Sequence, residues 1–286
     1  MSINNPYELD LPAAVMFSGG RTSGYMLHHI LEAHGGQPDG LRVLFGNTGL
    51  EHAATYEFIH RVETEWGVKV DWLETYWLRR GFKEADYDVR VVDYETASRD
   101  GGPFKDLLGA ARALPNPVQR VCTDYLKIRN KRKYLARDPA FDDGWDSAVG
   151  LRHDEPRRVA RIKGVTKAET PVCPLNDAKV IEEEIIEWWG KHPFDLELPS
   201  KDNSFGNCVG CFLKGTDKLV RLMREAPEYF DFWIEAEANP PEGSGGLGAR
   251  FRADRPSYAQ LMEFSRNQGV LDFGSEDPNL PCSCTD

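Results

Sequence analysis

The sequence lacks any run approaching the ~20 apolar residues that a membrane-spanning helix needs. Its opening stretch, MSINNPYELD, has neither the basic start nor the apolar core of a secretion signal. The expectation is a cytoplasmic protein with no membrane partner. Also missing are the GK[ST] ending of a Walker A loop, any HExxH or HxxxH pair among the seven histidines, and low-complexity tracts. These absences remove the zinc-protease readings and one common phosphate loop. With 41% hydrophobic and 28% charged residues, wholesale disorder and fibrous classes are excluded as well. Cysteines number six. In a reducing compartment, those that cluster point to metal or thiol chemistry rather than disulfides.

What is present is uneven. The net charge is −11, yet residues 120–167 hold 13 Lys/Arg against 7 Asp/Glu. A basic segment in an acidic chain points to a local anionic ligand, with nucleic acid among the candidates. Ala13–Phe17 is a short apolar run broken by Ser18-Gly19-Gly20. It leads into a helix over 22–34 whose Met26, Leu27, Ile30 and Leu31 share one face. Leu41–Phe45, a glycine loop and a helix through Tyr56, Ile59 and Val62 repeat that unit. Val68–Leu73 and Trp145–Leu151 read as further strands. The fold class expected is α/β, a doubly wound, mainly parallel, Rossmann-like sheet with a C-terminal helical subdomain. The division expected is a nucleotide-binding domain over 1–175, carrying an irregular insertion at 77–117, and helices over 176–286 with a CxxC loop and a tail.

A glycine turn between strand and helix presents backbone N–H groups and a helix N-terminus to an oxyanion. In Ser18-Gly19-Gly20-Arg21-Thr22-Ser23 the glycines allow close approach, three hydroxyls can donate, and Arg21 adds positive charge. This loop resembles the PP-loop of the adenine nucleotide alpha hydrolase superfamily. The stretches GNTGLEHAATYEF (46–58), RVCTDYLKIRNKRKY (120–134), GLRHDEPRR (150–158) and PL with an acidic helix (174–187) follow in the order of its PAPS reductase branch. The resemblance covers about residues 13–215. It implies a nucleotide held by Phe17, Ser18, Gly19, Gly20, Arg21, Thr22, Ser23, Phe45, Gly46, Asn47, Thr48 and Gly150. Lys127 and Arg152 would touch phosphates or activated substrate, with Arg157 and Arg158 as candidates of the same kind. Sulfonucleotide reductases have a degraded loop, so the intact Ser-Gly-Gly and Ser23 favour ATP over APS or PAPS. Arg21-Thr22 stands where ATP-splitting relatives have a Lys-Asp type pair, so the loop lacks the carboxylate that Mg²⁺ favours.

Cys208 and Cys211 form a CxxC, a spacing that serves a shared metal or a redox dithiol. The resemblance implies more. Iron–sulfur reductases of the branch have cysteine ligands matching Cys122 and a later CxxC, which gives three ligands for a [4Fe–4S] cluster, with zinc as the alternative metal. The fourth position falls to Cys173, Cys282 or Cys284, to a non-cysteine group, or to an open iron that holds sulfide. Those reductases also carry a nucleophilic cysteine on a C-terminal tail, a role open to Cys282 or Cys284 although the Glu-Cys-Gly pattern is absent.

Three functions follow as expectations. The first is an ATP-consuming enzyme that adenylates an acceptor (tRNA, DNA or a small metabolite), releases pyrophosphate, and thiolates it from a sulfur donor. The second is an APS/PAPS reductase with a thioredoxin-like reductant, and the third a non-catalytic nucleotide-binding subunit. The GxGxxG at Gly243–Gly248 follows no strand and is discounted. Trp188-Trp189 and the aromatics around Trp233 read as core. His52 and His153 flank motif loops.

Overall fold

The computed structural model describes residues 5–162, 168–200, 203–244 and 246–267. Six strands form one sheet: β1 (Ala13–Met16), β2 (Leu41–Gly46), β3 (Val70–Trp77), β4 (Tyr87–Val92), β5 (Trp145–Val149) and β6 (Glu169–Val172), in the order β4-β3-β2-β1-β5-β6. All neighbours pair parallel except β3 and β4, which are antiparallel. The order runs outward in both directions from β1, so the sheet is doubly wound and Rossmann-like, with its switch point between β1 and β5.

Side-chain alternation sorts the strands' residues onto two faces. Val15, Phe17, Val43, Phe45, Val70 and Trp72 pack against α1 (Arg21–His34) and α2 (Ala53–Trp66). Ala14, Leu44, Leu73 and Val89 face the other way, toward Leu135 and Phe141.

The segment 77–117, expected to be irregular, instead supplies the edge strand β4 and helix α3 (Gly102–Ala110). β4 alternates as a half-buried edge strand, with Tyr87 and Val89 buried and Asp88 and Arg90 outside, and the polar, turn-rich residues around it mask that alternation. Arg90 earns its place by pairing with the fully buried Glu74 at 2.7 Å. After α3 come α4 (Val121–Thr123), α5 (Arg129–Leu135), α6 (Pro156–Ile162), α7 (Pro174–Asp177) and α8 (Glu182–Lys191). A helical layer of α9 (Thr216–Glu225), α10 (Asp231–Ala238) and α11 (Tyr258–Asn267) completes the described chain.

Packing divides elsewhere than at 175/176. Leu175, Val180, Ile185, Trp189, Phe194 and Leu196 belong to the sheet's own core, because α8 lies against α1. A second core gathers Phe205, Phe212, Leu219, Trp233 and Tyr258 with Phe104 and Leu107 of the insertion and Tyr125 and Leu126. The insertion is therefore divided: β4 extends the sheet, and α3 packs with the helical layer.

Candidate functional site

The loop after β1 ends at the switch point, where crevices of such sheets bind ligands. Gly19 has φ +77, and a Cβ there would come within 2.7 Å of Thr55 Cγ2 and 2.8 Å of Ile59 Cδ1, so geometry and space both demand glycine. Ser18 N–H donates to Ser23 Oγ (3.2 Å), the two hydroxyls lie 2.9 Å apart, and Ser23 Oγ donates to Gly20 O (3.0 Å). These bonds fold the loop back onto the first turn of α1. That turn has no side-chain cap and no acidic residue. It therefore presents backbone donors and the positive end of a 14-residue helix to whatever enters. Gly150, just after β5, closes the other side, since a Cβ there would sit 3.4 Å from Ser23 Cα.

Beside the loop lies a cavity of about 250 Å³, on the scale of a nucleoside, lined by Phe17, Ser18, Phe45, Gly46, Lys127 and Lys131 among others. A second, narrow cavity is lined by Cys122, Cys208 and Cys211 together with Thr48 and Asn207. Lys127 and Thr123 line both. The wall between the cavities is a π-helical turn, Asp124–Ile128, inserted between α4 and α5. Turns of that kind are rare and recur at functional sites. Here one seats the chain against Gly46, where a Cβ would fall 2.6 Å from Leu126 O. Asn130 Nδ2 donates to that same carbonyl at 2.6 Å.

Lys127 Nζ donates to Asn207 Oδ1 at 3.3 Å and stands 3.8 Å from Glu51 Oε1. The Glu51 carboxylate is buried. It accepts from Thr48 Oγ1 (2.8 Å), Thr48 N–H (3.2 Å) and Tyr56 Oη (3.2 Å), and lies 4.0 Å from Cys208 Sγ. Burial pushes the free Cys208 thiol up to about 12, against the opposing pull of the Lys127 ammonium. A metal taking this sulfur as thiolate would displace its proton. Glu51 and Asn207 were missed at the level of sequence, although Glu51 lies inside the GNTGLEH stretch and Asn207 immediately precedes the CxxC.

The cysteines permit a test of fit. Thiolates sharing one tetrahedral zinc at ~2.3 Å would lie ~3.8 Å apart. Cys122, Cys208 and Cys211 converge on one cavity, but their three sulfurs do not all come within 4.8 Å of one another. The three thiols fit as ligands either to a metal ion or to a metal–sulfur cluster. Cys173 sits apart, in an apolar group with Val149, Leu151 and Val159. Cys282 and Cys284 lie outside the described residues.

Other candidates are placed differently from the expectation. Arg21 makes a two-pronged pair with Asp195 (2.7 and 2.9 Å) and also donates to Leu196 O, so its guanidinium braces the chain after α8. Arg152 is ringed by Asp154 (3.0 Å), Glu155 (3.9 Å) and Glu182 (3.5 Å), and does not line either cavity. Burial pulls its pKa down, but the bond to Asp154 and these carboxylates outweigh it. Arg158 pairs with Glu155, and Arg157 and His153 are exposed. The Asn47 side chain is fully buried, donating to Glu74 (2.7 Å) and Ser98 O (2.9 Å), while Thr48 turns to the cysteines. His52 caps α2, its Nδ1 accepting from Ala54 N–H, and burial lowers its pKa. The basic segment is partly neutralised in place by the pairs Arg129–Asp124, Arg132–Glu169, Lys133–Glu84 and Arg137–Asp88.

No family model matches the chain. It is similar to the uncharacterized nin region protein ORF290 of Escherichia phage lambda, 31% identical over 207 residues that make up 72% of this chain and 67% of the phage protein. It is also similar to the uncharacterized protein MJ0066 of Methanocaldococcus jannaschii, 24% identical over 239 residues, 81% of this chain and 42% of that protein. The chain thus spans less than half of the archaeal protein's length.

Proposed function

This chain belongs to the family of the nin region protein ORF290 of phage lambda, and we propose that it is an ATP-binding enzyme of PP-loop type that activates an acceptor for thiolation. The observation that carries this reading is the position of Lys127, in the wall shared by a nucleoside-sized cavity at the switch point and a cavity holding three cysteines. Adenosine would occupy the first cavity against Phe17 and Phe45, with its phosphates on the Ser18–Ser23 loop and the N-terminus of α1. An acceptor oxygen would attack the α-phosphorus and expel pyrophosphate, and sulfur would then displace AMP. Lys127 would offset the charge that builds on the phosphates, a matter of placement and electrostatics. Cys122, Cys208 and Cys211 would hold the [4Fe–4S] cluster, whose chemistry, with one iron open, is to carry the sulfur. Glu51 and Asn207 hold Lys127 between the two cavities.

The test is turnover by anaerobically purified protein offered ATP, APS or PAPS. Pyrophosphate and AMP from ATP in the presence of acceptor support the proposal. Sulfite from PAPS would replace it with the reductase reading, and tight binding of ATP without turnover of any nucleotide would leave a binding subunit.

A further inference from the structure

One group of metal-ligating side chains lies well away from the cysteines. On α1, His28, His29 and Glu32 bring three ligand atoms within 4.8 Å of one another, and among the described residues no other His/Cys/Asp/Glu group does so. The spacing i, i+1, i+4 explains it. Glu32 is one turn beyond both imidazoles, and its carboxylate falls between them. Glu32 Oε2 is 3.4 Å from His28 Nδ1 and 2.9 Å from His29 Nδ1. Nitrogen and oxygen ligands at ~2.0–2.2 Å from a shared ion would lie ~3 to 3.5 Å apart, a range that the two distances to Glu32 match.

A further observation points to an occupant. His28 Nδ1 is withdrawn from solvent, and its 3.4 Å approach to Glu32 Oε2 is not a well-formed hydrogen bond. A buried, unsatisfied ring nitrogen carries a cost that a metal would relieve. The rings are already fixed in place. His28 packs against Trp188 (4.8 Å) and Trp66 (5.0 Å), and His29 against Tyr25 (4.4 Å). Glu32, at 61% side-chain exposure, leaves the site open to entry and to water ligands.

We propose that His28, His29 and Glu32 form a site for a divalent transition metal of the zinc, nickel and copper class. Two imidazoles and one carboxylate are the ligands of several zinc sites, and such nitrogen-rich sets prefer these ions to Mg²⁺ or Ca²⁺. The site is independent of the nucleotide reading, since none of its residues lines either cavity.

The experiment uses the untagged full chain, freed of metal by chelator, titrated with Ni²⁺ and followed by tryptophan fluorescence, because Trp188 and Trp66 pack against His28. Saturable quenching is expected, lost in His28→Gln/His29→Gln and weakened in Glu32→Gln, whose exposed position leaves the fold intact. Trp66→Phe/Trp188→Phe should remove most of the quenching while the ion still binds by calorimetry. Co²⁺ should add weak visible bands that disappear in His28→Gln/His29→Gln, separate from any thiolate charge-transfer absorption of the three cysteines. Undiminished quenching in both histidine and glutamate variants, or a Co²⁺ spectrum made only of thiolate bands, would overturn the assignment.

Discussion

Lys127 and Glu51 are the pair on which the proposed chemistry turns. The lysine is mostly buried, with 18% side-chain exposure, and its ammonium is held by Asn207 beside the CxxC and by Glu51 in the loop after β2. Lys127→Met keeps the length of the side chain and removes its charge. It should lower the rate of pyrophosphate release by about 10²- to 10³-fold, the usual cost of deleting one preorganised charge at a transition state, and it should also lower thermal stability, because the buried Glu51 carboxylate loses its balancing charge. Steady-state kinetics beside a melting curve checks this, and an unchanged rate would remove Lys127 from the mechanism. Glu51→Gln is a different case. The amide retains an acceptor for Thr48 and Tyr56 but no longer balances Lys127, so the expected effect is chiefly on rate rather than on ATP affinity.

At the scale of elements, the CxxC loop shows how packing dictates a residue that spacing alone does not. A Cβ on Gly210 would collide with Trp233 Nε1, and Tyr258 Oη donates to Gly210 O at 2.6 Å. The loop is thus clamped between α10 and α11. Gly210→Ala should cost about 1–3 kcal/mol by overpacking and reduce the iron retained by anaerobic protein. Urea unfolding and iron analysis together read both effects, and a variant that is stable and fully loaded would show that the clamp does not matter. The units β1-loop-α1 and β2-loop-α2 were legible in the sequence because each is an apolar run, a glycine break and a 3.6-residue periodicity in succession. β4 was not, since the polar, turn-rich residues around it mask its alternation. The π-helical turn was equally invisible, for nothing in Asp124–Ile128 distinguishes it from an α-helix until Gly46 presses against it. Likewise, His28 and His29 read as scattered histidines because the pattern sought was HxxxH, whereas the structure pairs each with Glu32.

Over the whole molecule, protons link these local environments to stability. His28, His29 and His52 all have pKa values lowered by burial, so the unfolded chain, with histidines near ~6.5, binds protons that the folded chain refuses. Stability therefore falls as pH drops from 7.5 through that value. Two sets of acids act in other windows. Glu63, Asp106, Asp146 and Glu237 are raised by burial, so the folded chain takes up protons before the unfolded one and gains stability as pH falls toward ~4. Asp138 is lowered by its bond to Arg42 and Asp254 to about 2 by its bond to Arg252, and their contributions disappear only below the ordinary carboxylate range. The expected profile of urea midpoint is a decline between pH 7.5 and 5.5, a flatter region beneath it, and a second loss in strong acid. His28→Gln/His29→Gln should flatten the first limb and leave the last unchanged. If the double variant declines as steeply as the parent between pH 7.5 and 5.5, the two histidines on α1 are not what makes this fold sensitive to acid.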